Sequence, residues 1–406
     1  MGIYRELSNS KGVFRLLGAQ LLARFPAGML SLVLLLHMEH IFHNYTSGGI
    51  MLATLCIGQA AAGPVTTRWM GKWGMRPVLT ITTIICVICL LLVAYAPFNL
   101  LGYTVIAVLL GFTIPPIAPA VRTIFPKLVP GKLLNGLYSL DASVQEIIWA
   151  IGPVIAVFVA ISFSPSIALT VAAALMVLGG IWFISSPELG QVKLPPARRK
   201  IGAVFTRRSV GLAVALGFLY LIAFAAFEAG VVSIFGHESF DGGFILGINA
   251  FGSFVGGMLV GHRALNRWAL PTRMLVVFVG FLLCLISLET WWLTAIAFIG
   301  GLGAAPTFAG LSSLISSTVK FSETAEAFGW SNTGQLIGAA IGSALAGISI
   351  DAIGARGAFV VAGVAMGCAI LTALIWRNIV PDLRGKDASP IPDTEQIPVT
   401  PQVGIG

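Results

Sequence analysis

Apolar runs of about twenty residues, separated by short polar or Gly/Pro-rich breaks, fill most of this sequence. A helix rises about 1.5 Å per residue, so a run of that length covers a hydrocarbon layer about 30 Å thick. The runs predict twelve helices, over 13–38, 48–68, 77–96, 100–125, 134–162, 165–185, 209–235, 243–261, 273–290, 291–318, 326–350 and 357–377. The longest interior break, from Ser185 to Arg208, is rich in proline and basic residues and splits the helices six and six. The expected organisation is a six-helix bundle over 1–185, a cytoplasmic linker over 186–208, a second bundle over 209–380 and a cytoplasmic tail over 381–406. Many prolines and few large apolar side chains predict disorder for that tail.

Hydrophobic residues make up 57% of the 406 and charged residues 10%, against about 25% charged in soluble domains. So few charges cannot cover soluble domains of this size, and the expected fold class is an all-α membrane protein. A net charge of +8 would point to nucleic acid if it formed one patch. Instead, all but Arg24, Arg122 and Arg356 of the 24 Lys and Arg residues lie in segments on one side of the predicted membrane. That asymmetry places both termini in the cytoplasm and the protein in the cytoplasmic membrane, with no nucleic-acid partner. The opening MGIYRELSNSKGVFR has no short apolar core before a small-residue cleavage site, so the first long helix is expected to stay as an anchor.

The five cysteines fall in apolar stretches, where a thiol acts as a small hydrophobe. His37, His40 and His43, with Glu39 among them, read as headgroup-level residues, because closed metal coordination usually draws ligands from several segments. The sequence has no G-x-x-x-x-G-K-(S/T) phosphate loop, no H-E-x-x-H and no nucleophile–base arrangement. No cofactor, no metal and no enzymatic activity are expected.

The two halves repeat each other. Gly48, Gly49, Gly58 and Gly63 recur 194 residues later as Gly242, Gly243, Gly252 and Gly257. Gly111 and Pro116 recur 190 residues later as Gly301 and Pro306, and Gln145, Ile151 and Gly152 recur at the same offset as Gln335, Ile341 and Gly342. Six crossings separate the copies, so the repeat is parallel.

Twelve helices split six plus six, with a basic glycine-containing loop between helices 2 and 3, resemble the major facilitator superfamily of secondary transporters, in its bacterial proton-coupled drug and solute antiporter branch. The family's G-x-x-x-D-(R/K)-x-G-(R/K)-(R/K) loop is matched here by Lys72, Gly74 and Arg76. Gly71 stands where the family has its aspartate and Thr67 where it has the first glycine, which puts the family's acid latch in doubt. On helix 5, Gly152-Pro153 matches a fragment of the glycine-proline stretch of exporting antiporters. The resemblance implies two pseudo-symmetric bundles that rock around a midplane site.

Ionisable groups at membrane depth are costly and mark function or structural pairing. Arg24 and Glu146 lie at similar depths on helices 1 and 5, neighbours in the resembling fold, so they are expected to meet as a cavity pair or a structural pair. Asp141, five residues before Glu146, is rotated about 140° from it and is expected to pair with Arg122 across the helix 4–5 hairpin. Glu146, Glu228 and Asp141 are the proton-coupling candidates. Arg24, Gln20, Gln59, Asn249, Asn332 and Gln335 are the cavity candidates, each with the competing reading of a hydrogen bond to a neighbouring helix. Arg122, Lys72, Gly74, Arg76, Gly152 and Pro153 are the gating or structural candidates.

The expected function is secondary transport of a small organic solute by a monomer in the lipid bilayer, by alternating access and proton-coupled efflux. Uptake by symport or facilitated diffusion is the alternative. A membrane sensor with a transporter fold is the more distant one.

Overall fold

The computed structural model describes residues 2–192, 201–235, 240–386 and 388–393. After a short amphipathic α1 (Gly2–Asn9), the first half contains α2 (Val13–Phe42), α3 (Tyr45–Trp73), α4 (Met75–Tyr95), α5 (Leu100–Thr113), α6 (Ile117–Leu128), α7 (Gly131–Ser162), α8 (Pro165–Ser185) and the short α9 (Pro187–Gln191). The second half contains α10 (Arg208–Phe235), α11 (Phe240–Gly256), α12 (Ala269–Leu283), α13 (Thr290–Gly301), α14 (Ala304–Thr318), α15 (Phe321–Ile353) and α16 (Ala355–Ile375).

One span in each half, the fourth of its bundle, is broken. Pro115 and Pro116 separate α5 from α6, since proline supplies no N–H and disfavours helix before it. Leu302 and Gly303 separate α13 from α14. Counting each broken pair once gives twelve apolar helical segments among the described residues. Eleven are long and apolar enough to span a membrane, and α12, at 15 residues, is the short one. Helix 9, expected over 273–290, ends instead at Leu283, and Glu289 directly precedes the start of α13.

In the first bundle α2 packs on α7 and α8, and α3 on α5; in the second α10 packs on α15 and α16, and α11 on α13. The glycine repeat is visible in these crossings. A Cβ at Gly58 would strike the Val108 carbonyl, and one at Gly111 the Leu55 carbonyl. At the equivalent crossing, Gly252 faces the Phe298 carbonyl and Gly301 the Asn249 carbonyl. Backbones approach this closely only where side chains are absent, which is how small residues drive helix association in lipid.

The bundles touch along half their height. From Gly131 to Ser143, α7 is buried on nearly every face; beyond it, exposed residues recur through Trp149, Val154, Phe158 and Ile161. The same change occurs on α15, between its nearly all-buried stretch from Phe321 to Gly334 and its one-sided outer part. Both buried stretches lie at the end where α1, the linker and residues 377–393 lie, here called the linker face. The bundles are therefore sealed at the linker face and parted toward the distal face.

The expectation of a disordered chain from 381 does not fit residues 381–386 and 388–393. Leu383 N–H donates to Leu265 O at 2.8 Å, and Ile391 forms a parallel bridge beside Lys320, donating to Val319 O at 2.9 Å and accepting from Phe321 N–H at 3.0 Å. Asp393 accepts from Ser322 N–H at 3.2 Å and from its hydroxyl at 2.5 Å, capping α15 from outside the helix. Buried Val380, Leu383 and Ala388 hold the segment down with a few apolar contacts that its low overall hydrophobicity hides. The rest of the predicted tail, 394–406, and residues 193–200 of the linker lie outside the described residues.

Candidate functional site

Two stripes on α7 organise the region where the bundles part. Asp141, Gln145, Ile148 and Gly152, spaced by three or four residues, face α2 within the first bundle. Asn135, Ser139, Ser143 and Glu146 form the second stripe and face the second bundle.

The first stripe builds a charged cluster with α2 and α6. Asp141, 1% exposed, accepts from Gln20 Nε2 at 2.7 Å, from Arg122 Nε at 3.1 Å and from Arg24 Nη1 at 3.5 Å. Arg24 also donates to Gln20 Oε1 at 2.8 Å and to Gln145 Oε1, which accepts from Arg122 Nη2 at 3.4 Å as well. The expected Arg122–Asp141 pair is present. The expected Arg24–Glu146 pair is not: the rotation that separates Asp141 from Glu146 turns Glu146 away from α2, and Arg24 joins the Asp141 side.

Glu146 reaches across to the other bundle. Its Oε1 accepts the hydroxyl of Ser253 on α11 at 2.8 Å, and the same hydroxyl oxygen accepts from Ala305 N–H at the start of α14, at 3.1 Å. No cation pairs with Glu146 among the described residues.

Below this level the second stripe continues the seal. Ser139 Oγ donates to Gly257 O at 2.6 Å, and Tyr4 of α1 donates to the same carbonyl at 3.0 Å. Gly257 opens a π-helical turn, Gly257–Gly261, whose irregular hydrogen bonding accommodates these outside donors. Burial raises the Tyr4 phenol above its ordinary range, so it remains a donor. Asn135 accepts from Ser313 Oγ at 2.5 Å. The pseudo-equivalent crossing joins α3 to α15: Thr333 Oγ1 donates to Ala60 O at 2.9 Å, Gly63 abuts Gly329, and Arg68 lies 3.5 Å from Glu326. Glu326 also accepts from Gly202 N–H of the linker at 2.7 Å.

The other predicted residues fall outside the cluster. Asn249 donates to Ala297 O of the neighbouring α13 at 2.8 Å, and Gln335 to Ser331 Oγ within α15 at 3.1 Å. Gln59 is half-buried and Asn332 exposed. Glu228 is exposed near the distal end of α10 and has no hydrogen bond or ion pair among the described residues. Lys72 lies over the Trp73 ring, 5.7 Å from its centroid, Gly74 takes φ +92° between α3 and α4, and Arg76 donates to Ser186 O at 3.2 Å. Those contacts remain within the first half. Gly152 packs backbone to backbone on Gly28, and Pro153 follows it inside α7, so this pair fixes α2 against α7. His37 gives Nε2 to the Val93 carbonyl at 2.7 Å.

Across the repeat the charge is one-sided. At an offset of 190, the positions of Arg122, Asp141 and Gln145 are Ser312, Ser331 and Gln335. The second bundle supplies hydroxyls and backbone where the first supplies ions.

The family model described as Major Facilitator Superfamily matches residues 16–288 and 266–399. The chain belongs to the major facilitator superfamily. As a member it is a multi-pass membrane protein and a secondary transporter, not an enzyme. Solved superfamily structures share the fold. The crystal structure of the human organic anion transporter MFSD10 (TETRAN) matches at TM-score 0.67 and 15% identity, over 91% of this chain and 99% of that one. A bacterial homologue of the iron transporter ferroportin in outward-facing state matches at TM-score 0.69 and 14% identity, over 90% and 99%. No curated protein sequence matches. At these identities the likeness shows the fold.

Sequence reasoning missed Ser253, Ser139, Tyr4 and Glu326. Small hydroxyls carry almost no hydropathy signal, and Glu326 stood at a predicted helix boundary. Tyr4 had a usable signal: Ile3, Tyr4 and Leu7 form an apolar face on a short helix that otherwise reads as a polar leader.

Proposed function

We propose that this superfamily transporter exports a small organic solute across the cytoplasmic membrane in exchange for protons, with Glu146 carrying the coupling. On the positive-inside rule the linker face is cytoplasmic, so the crevice opens outward. The observation that carries the reading is the hydrogen bond from Ser253 to Glu146, a tie between bundles made by a titratable group with no paired cation among the described residues.

An ionised carboxylate accepts a charge-assisted bond roughly twice as strong as a neutral one. Ionised Glu146 therefore holds the cytoplasmic side shut. A proton arriving from the outer water weakens the tie and favours the inward-open form, where the proton leaves. An empty, protonated carrier that turns inward is the step antiport requires. Solute binding then supports the return.

The test uses compounds chosen by thermal stabilisation of the purified protein, loaded into proteoliposomes with pyranine. Acidification of the lumen as solute leaves supports antiport. Loss of protons together with solute supports symport and overturns the reading, as does a pH trace that does not respond.

A further inference from the structure

We propose that the solute carries an anionic group, a carboxylate, sulfonate or phosphonate, which seats on the guanidiniums of Arg24 and Arg122. The inference rests on the transport reading above and names the substrate class for the same crevice.

The cluster holds two fixed cations and one carboxylate, and no other carboxylate lies within ion-pair range of either arginine among the described residues. Glu146, the nearest acid along α7, is engaged by Ser253 on a different face. One positive charge is left uncompensated at a depth where an unpaired ion is costly.

Access points the same way. Asp141 is 1% exposed and already accepts from three side chains, whereas the Arg24 and Arg122 side chains keep 13% and 16% exposure. Their remaining donors, Arg24 Nε and Arg122 Nη1, bond to no group among the described residues. An approaching solute meets cations while the balancing carboxylate is hidden behind them. Gln20 and Gln145 spend their carbonyl oxygens on the arginines, which orients the guanidinium forks. Planar guanidinium donors match the paired oxygens of such anions. The cluster also lies at the level where α7 changes from all-round to one-sided burial, at the floor of the crevice. An anion seated there replaces the missing charge, and an interior-negative membrane drives it outward.

The experiment is a thermal-stability screen of the full chain in uncharged detergent, using size-matched sets that share a skeleton and differ in the head group: carboxylate, sulfonate or phosphonate against amide and amine. The expected result is stabilisation by anionic members, an apparent affinity at least tenfold weaker in Arg122→Gln, and partial recovery in Arg122→Lys. Asp141→Asn, which removes the hidden carboxylate, is expected to keep or strengthen anion binding; if it unfolds, the arginine pair of variants decides alone. Phosphatidylglycerol added to the micelles is not expected to compete, and competition by it would reassign the site to a lipid head group. Stabilisation by amines, equal affinity in Arg122→Gln, or no anionic hit overturns the assignment. Those outcomes leave the proton-coupling reading standing, because that reading depends on Glu146 and is tested by proton movement.

Discussion

Glu146 on α7 and Ser253 on α11 share a 2.8 Å hydrogen bond between the two bundles, and Ser253 is simultaneously held by Ala305 N–H. One hydroxyl thus fastens three helices where the crevice begins. A hydrogen bond to a charged group contributes about 1.5–3 kcal/mol. Ser253→Ala is therefore expected to raise the population open at the linker face about tenfold or more. Ser316→Cys, a near-isosteric change at a buried residue of α14, reports the opening by its alkylation rate in a background without the native cysteines. An unchanged rate contradicts this role.

Tyr4 and Ser139 donate to one carbonyl, that of Gly257. Each bond is expected to contribute about 1 kcal/mol to closure, a factor of about five in the alkylation rate for Tyr4→Phe or Ser139→Ala. The shared acceptor predicts non-additive effects in the double variant. Strict additivity would show that the two hydroxyls act separately.

Gly152→Val places a side chain against the Gly28 backbone. Overpacking of this kind costs about 1–3 kcal/mol, so the melting temperature is expected to fall by several degrees. Any surviving folded protein should keep its pH response, since the contact lies inside one bundle. A stable Gly152→Val protein with altered pH response would instead make this pair a gate.

Asp393→Ala removes the cap that the C-terminal segment lends to α15. Loss of a cap costs about 1 kcal/mol. Hydrogen exchange across 320–326 is expected to rise while the outer part of α15 is unchanged. Equal protection in both proteins would show that the segment does not hold the helix end.

The bundles and their pseudo-symmetry were legible because they rest on long, redundant signals: apolar runs, and glycines at two fixed offsets that proved to mark equivalent helix crossings. The site was legible in part. Helical rotation alone required separate partners for Asp141 and Glu146, and hairpin spacing identified Arg122 for Asp141. It did not identify the partner of Arg24, whose side chain is long enough to reach either turn of α7. The partner of Glu146 was invisible for a different reason: Ser253 lies in the other bundle, more than a hundred residues away, and no periodicity links them. The docked segment around Ile391 was hidden because four apolar residues among prolines do not alter the average composition of a tail.

Distances between spin labels at Ile161→Cys and Ile348→Cys, exposed positions at the distal ends of α7 and α15, test the coupling of Glu146 to bundle motion most directly. In wild type, acidification is expected to shift the distribution toward shorter distances as the distal side closes. In Glu146→Gln, which mimics the protonated group, the shorter distances are expected at every pH. A wild-type distribution that ignores pH, or a Glu146→Gln distribution that still follows it, would contradict the account.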